Sequence, residues 1–107
     1  MKLRHEPLPD GGVRAALAGD LEVASCTCLE NFWELRLAPA RRLEVDLSGL
    51  ETLEAEGLAM LAGLVAEQLD KGAQVRLEAA PEGVRAALDV VGLRPGEGRA
   101  AALTVAG

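Results

Sequence analysis

The stretch Arg42 to Gly57, RLEVDLSGLETLEAEG, constrains this chain more than any other, because the apolar run Leu58-Ala-Met-Leu-Ala-Gly-Leu-Val follows it directly. Leu43, Val45 and Leu47 alternate with Glu44 and Asp46, the period-2 pattern of a strand with one buried face. The alternation predicts a strand ending at Asp46, a short loop, and then a helix from about Ala55 to Lys71 with Gly72 as its stop. Leu58, Leu61, Ala62, Val65 and Leu69 form the expected core stripe of that helix. A strand that feeds a helix N-terminus offers unpaired N–H groups and a partial positive charge. Here two carboxylates, Glu54 and Glu56, stand at that point, with neither a nucleophile nor a phosphate-cradling glycine loop beside them.

The rest of the chain reads as further strands and helices. Residues 2–8 suit a strand, Asp10-Gly11-Gly12 a turn, and residues 13–18 a second strand that Gly19-Asp20 ends. Thr27-x-x-Glu30 is a capping-box pattern and predicts a helix start, with Leu29, Phe32, Trp33 and Leu37 on one face and Pro39 as its end. Residues 74–79 read as a strand. Pro81 suits the first turn of a third helix with Val84, Leu88 and Val91 on its apolar face, closed by Gly92. Arg94 to Gly98 reads as a loop, and Leu103-Thr104-Val105 favours a final strand over a helix in residues 99–106. No linker or repeat divides the chain, so residues 1–107 are expected to form one α/β domain. Its expected form is a mixed sheet of 4–5 strands with three or more helices packed mainly on one face.

Composition narrows the function classes. The formal net charge is −6 and the largest basic cluster is Arg41-Arg42, which argues against nucleic acid or an anionic membrane as partner. No run of 18 apolar residues is present, so no membrane insertion is expected. The opening residues MKLRHEPLPD lack the apolar core of a secretory signal, which makes a cytoplasmic location the expectation. Cys26 and Cys28 are too close for an ordinary disulfide and read as reduced, partly buried thiols; with His5 as the one histidine, no metal or cofactor is expected. No Ser/His/Asp or Cys/His constellation and no phosphate loop can be assembled, so the chain is not expected to be an enzyme.

Taken in order, four segments resemble the STAS domain, the family of the bacterial anti-sigma-factor antagonists. They are Gly19-Asp20-Leu21, Val45-Asp46-Leu47-Ser48-Gly49-Leu50, Glu54-Ala55-Glu56-Gly57-Leu58, and Val84 to Leu93 with its closing Gly92-Leu93. In that family an Asp-Ser-Ser-Gly motif carries a serine that a kinase-type anti-sigma factor phosphorylates, and phosphorylation releases the antagonist from its partner. The positions matching the two serines are Ala55 and Glu56, which cannot accept a phosphoryl group, and Glu54 stands for the aspartate. The resemblance implies a protein–protein interaction module in transcription-regulating signalling, without the usual phosphorylation switch. The partner would be an anti-sigma factor or kinase-like protein. Stand-alone STAS subunits of bacterial lipid ABC transporters, which hold an ATPase, are similar in length, in the Phe32-Trp33-Glu34-Leu35 region and in variation at the serine motif, and give the alternative.

Three local readings stay open at this level. Glu54 and Glu56 suit helix-start acids, worth about 0.3–1 kcal/mol each, a fixed charge that partly imitates a phosphorylated serine, or a metal-binding or catalytic carboxylate pair. Met60 and Leu64 lie about opposite the predicted core stripe: they either pack on a neighbouring helix or form, with Gly63, an exposed partner-docking patch beside Glu54, Glu56 and Gly57 that would also let two copies pair. Trp33 fits either a core position or an exposed interface anchor.

Overall fold

The computed structural model describes residues 1–93 and 102–106. Along the chain run β1 (Lys2–Pro7), β2 (Val13–Leu21), α1 (Val23–Phe32), a π-helical turn (Trp33–Leu37), β3 (Arg42–Leu53), α2 (Ala55–Asp70), β4 (Gln74–Glu78), α3 (Glu82–Val90) and β5 (Leu103–Ala106). The five strands form one sheet in sequence order, β1-β2-β3-β4-β5. The β1–β2 pair is antiparallel, while β2–β3, β3–β4 and β4–β5 are parallel.

This topology dictates where the helices go. Among the described residues each parallel step carries a helix, and each moves in the same direction across the sheet. Right-handed crossovers taken in one direction put every helix on the same face. The burial pattern agrees: Ala15, Leu17, Leu43, Val45, Leu47, Val75, Leu77 and Leu103 point under the helices and are buried. The opposite face carries a charge ladder. On it Arg14 reaches Glu78 at 2.8 Å, Glu44 at 3.2 Å and Asp46 at 3.8 Å, and Arg76 meets Glu78 at 3.0 Å.

Several expected boundaries shift. β2 does not stop at Gly19 and β3 does not stop at Asp46, because each continues by pairing with the other. β3 takes up the extra residues as register shifts: Ala16 pairs with Asp46 but Ala18 with Gly49, and Gly19 with Leu50 but Asp20 with Thr52. The inward positions of β3 therefore step from Leu47 to Leu50, and alternation alone reads this break as a strand end. Asp46 Oδ1 accepts the Ser48 N–H at 2.9 Å within the first shift.

Helix α1 begins at Val23, before the Thr27 capping pattern, with Glu22 as N-cap and no side-chain cap bond. Ser25 accounts for this earlier start: its hydroxyl donates to the Asp20 carbonyl at 2.7 Å, tying the first turn to the end of β2. The helix then widens into a π turn, where the Ala38 N–H donates to the Trp33 carbonyl at 2.8 Å. The wider turn keeps Leu29, Trp33 and Leu37 in line, at 0, 2 and 0% exposure. In α3, Val84 and Leu88 are buried, but the helix ends at Val90 and Val91 is 40% exposed. Leu93 takes its place: its N–H donates to the Leu88 carbonyl at 3.0 Å and its side chain is buried. The loop expected over residues 94–98 lies outside the described residues, and the final segment is a strand over residues 103–106.

Candidate functional site

The strand-to-helix junction forms where β2 and β3 end together and α2 begins. The Glu54 N–H donates to the Leu21 carbonyl at 3.0 Å, and the Glu54 carbonyl accepts the Leu58 N–H at 2.8 Å. Gly57 then presses on the last residue of β2. A Cβ at this position would lie 2.5 Å from the Leu21 carbonyl oxygen and 2.7 Å from Leu21 Cγ, so only glycine lets α2 start this close to the sheet. Thr52 Oγ1 donates to Asp20 Oδ1 at 2.8 Å, joining the two strand ends. On α1, Cys26 Sγ points to the Glu22 carbonyl at 3.4 Å and the Glu56 carbonyl at 3.8 Å.

Glu54, Ala55 and Glu56 all stand exposed on this rigid support. Glu54 is the N-cap residue in an extended conformation, and its carboxylate makes no cap bond. Glu56 lies in the first turn of α2, where the helix dipole favours its charge. Among the described residues neither carboxylate has an internal partner that would occupy it structurally. Among the described residues no group of three His, Cys, Asp or Glu side chains is arranged to hold a metal ion.

The other sequence candidates separate. Leu64 is 5% exposed and belongs to the core, and Met60 is half-buried against it. Gly57 is buried as well, leaving Gly63 as the exposed member of the expected patch. The cause is a rotation of α2. Its buried residues are Gly57, Leu61, Leu64, Val65, Gln68 and Leu69, centred about 60° from the predicted stripe at 100° per residue. Gly57 and Gln68 lie near the true centre and carry no apolar signal, so pattern reading placed the stripe too far round. Trp33 is a core residue and not an interface anchor. Cys26 is half-buried and Cys28 exposed; both are free thiols. His5 is exposed on β1, with its ring edge-on to Phe32 at 5.7 Å.

Two further features stand out: one had no sequence expectation, and the other gives the expected Met60, Gly63 and Leu64 patch its form. The first is Gln68, a buried polar residue at 1% exposure. Its Oε1 accepts the Trp33 indole N–H at 3.2 Å, and its two Nε2 hydrogens are shared among the carbonyls of Ala40 at 2.8 Å, Ala38 at 3.1 Å and Leu37 at 3.2 Å. It therefore satisfies the end of the π turn from inside the protein. The second is an open groove of about 460 Å³ between α1 and α2. Ala59, Met60, Gly63 and Leu64 line its floor, and Glu30, Glu34, Glu56 and Glu67 its rim. A Cβ on Gly63 would meet nothing within 4 Å. The fold therefore does not require this glycine, which costs about 0.5–1 kcal/mol of helix stability relative to alanine. The surrounding sequence is one-signed: residues 17–35 and 47–70 contain Asp20, Glu22, Glu30, Glu34, Glu51, Glu54, Glu56, Glu67 and Asp70, but no lysine or arginine.

A five-stranded mixed sheet covered by helices on one face, with a charged strand-to-helix junction at the carboxyl end of its central strand, defines a small α/β domain of the STAS class. The family model described as Mlab, STAS domain matches residues 6–95, and the chain belongs to the STAS domain family. No curated protein matches it in sequence. Its fold is similar to that of a protein from Thermotoga maritima assigned as an anti-sigma factor antagonist, with a TM-score of 0.75 at 12% identity over 98% of this chain and 86% of that one. It is also similar to the anti-sigma factor antagonist SpoIIAA in its unphosphorylated form, with a TM-score of 0.67 at 12% identity over 82% of each chain. A third similar structure is the STAS domain of an antisigma-factor antagonist from Rhodobacter sphaeroides, with a TM-score of 0.62 at 23% identity over 76% of this chain and 91% of that one.

Proposed function

We propose that this chain is a non-catalytic protein–protein interaction module, similar in role to the anti-sigma-factor antagonists whose fold it shares, and that it works in the cytoplasm. The observation that carries this reading is the junction at α2. Glu54, Ala55 and Glu56 are exposed on a support held by the Leu21–Glu54 hydrogen bond and the Leu21–Gly57 contact, so a partner would meet a surface of fixed shape. The positions that resemble the phosphoacceptor serines hold no hydroxyl. Binding here is therefore not switched by phosphorylation at positions 55 and 56. A carboxylate at Glu56 carries about half the charge of a phosphoserine and one acceptor oxygen fewer, so it imitates that state only partly.

The partner in this reading is an anti-sigma factor or a related kinase-like protein. A second reading, an accessory subunit holding the ATPase of a lipid ABC transporter, is favoured by the missing hydroxyl, because clamping an ATPase needs no phosphoacceptor. Co-purification of tagged protein from its native cell, with mass spectrometry of what accompanies it, separates the two. A kinase-like anti-sigma factor supports the first, and an ATPase with its permease supports the second. Glu54→Lys with Glu56→Lys then tests the junction. Loss of that partner at unchanged thermal stability supports the site, and unchanged binding removes it.

A further inference from the structure

We infer that the groove between α1 and α2 is a receptor for a basic amphipathic helix of a partner protein, a surface that adjoins the exposed acids at the start of α2 and shares Glu56 with them. The inference rests on the reading of this chain as an interaction module and adds the chemistry of what it binds. Three observations converge on it. The groove follows α2 from Glu56 to Glu67, a rise of roughly 16 Å, which accommodates about three turns of a docked helix. Its floor is apolar and low: Met60 is half-buried, and exposed Gly63 leaves the backbone open where the chain's own packing has room for a side chain. Glycine at this position weakens α2 and serves no internal contact, but it lets a second helix approach closely.

The rim selects the occupant. Glu30 and Glu34 on one side and Glu56 and Glu67 on the other are all exposed. Residues 17–35 and 47–70 contain no lysine or arginine, and although Arg36 and Lys71 stand just beyond them, neither forms an ion pair with the rim among the described residues. A second copy of this chain would bring the same acidic rim against this one, on a molecule of formal net charge −6, and be repelled. A helix with an apolar stripe flanked by Lys and Arg satisfies both parts: its stripe covers Met60 and Gly63, and its cations pair with the rim. Charge pairs at such a rim steer encounter and weaken with salt.

The test is titration of the ¹⁵N-labelled protein with a synthetic 18-residue helix carrying a leucine stripe flanked by lysines, beside a control of the same composition whose order destroys the stripe. The expected result is saturable amide shifts in residues 30–34 and 59–67 with the amphipathic peptide, at least ten-fold weaker binding of the control, and at least ten-fold loss of affinity in Gly63→Leu, which fills the groove. Gly63→Leu projects into open space, and its amide spectrum verifies that the fold is intact. A Glu34→Lys, Glu67→Lys variant is expected to lose the salt dependence. Equal binding of both peptides, unchanged affinity in Gly63→Leu, or no shift at all overturns the groove. Shifts confined to residues 52–57 also overturn it, but leave the interaction-module reading standing on the junction. Co-purification of the native partner with wild type and Gly63→Leu alike likewise rejects the groove alone.

Discussion

Replacing Gln68 with leucine is expected to destabilise the domain by about 3–5 kcal/mol, although leucine nearly matches it in volume and is more apolar. The cost follows from what Gln68 serves. Its removal leaves the Trp33 indole N–H without its acceptor and takes the side-chain donor from the carbonyls of Leu37, Ala38 and Ala40. A buried polar group left unsatisfied costs roughly 1–3 kcal/mol. The Ala38 contact is only partly buried and water can replace it, and the Leu37 carbonyl keeps the Ala40 N–H at 3.0 Å, so the shielded groups left alone are the indole N–H and the Ala40 carbonyl. Two losses of about 2–3 kcal/mol each, the upper part of that range for fully shielded groups, less about 1 kcal/mol regained from leucine's apolar surface, give the stated range. Against a total stability of roughly 5–15 kcal/mol for a domain of this size, the melting temperature should fall by at least ~10 °C. Urea unfolding followed by circular dichroism measures the change. Trp33→Phe, alone and combined with Gln68→Leu, isolates the indole bond as a coupling of about 1 kcal/mol. A cost below about 1 kcal/mol for Gln68→Leu would refute the claim that this residue holds the π turn.

Gly57→Ala should cost about 2 kcal/mol or more in the same assay, because the new Cβ would fall 2.5 Å from the Leu21 carbonyl oxygen and α2 would have to shift; a stable variant would mean that the junction yields. Leu64→Ala should cost about 2–5 kcal/mol as a core truncation, whereas Met60→Ala, at the half-buried groove edge, should cost markedly less, and equal losses would contradict the rotation of α2. The Ser48 hydroxyl and N–H, with Arg14 nearby, hold the Asp46 carboxyl below its ordinary value of 3.8. Its stabilising contribution is therefore complete well above pH 3.8 and is lost as the pH falls through and below that value. Asp46→Asn should flatten this part of an acid-unfolding curve measured by circular dichroism, and an unchanged acid limb would show that the interaction is too solvated to matter.

The order and type of the elements were legible because each strand alternates and each helix ends on a glycine or a proline. What escaped was whatever depends on a neighbour. β3 continues past Asp46 only because β2 continues beside it, and two register shifts break the alternation that local reading relies on. The Thr27 capping pattern is genuine as a pattern, but Ser25 reaches back to Asp20 and starts α1 earlier. At the site, the exposed acids Glu54 and Glu56 were visible from their position alone. The patch of Met60, Gly63 and Leu64 was expected too, but not its form as a groove against α1: that depends on the rotation of α2 about its axis, and the residues that define that rotation, Gly57 and Gln68, are a glycine and an amide. The motif Glu54-Ala55-Glu56-Gly57 was legible only as a resemblance, because the closeness that requires Gly57 lies across the chain at Leu21.

Because spatial order in the sheet repeats chain order, each strand past the hairpin docks on an edge that has already been made. No strand has to be threaded between two others, and no gap waits for a later segment to close it. During synthesis the sheet can therefore lengthen from its amino-terminal hairpin as the ribosome releases each successive βα unit, with every newly paired strand becoming the next template. The same one-way growth concentrates vulnerability at the last edge to form. Loss of β5 would bare the hydrogen-bonding side of β4 but leave the β2–β3 pairing and the start of α2 untouched, so trimming at that end should fray the sheet without dismantling the junction.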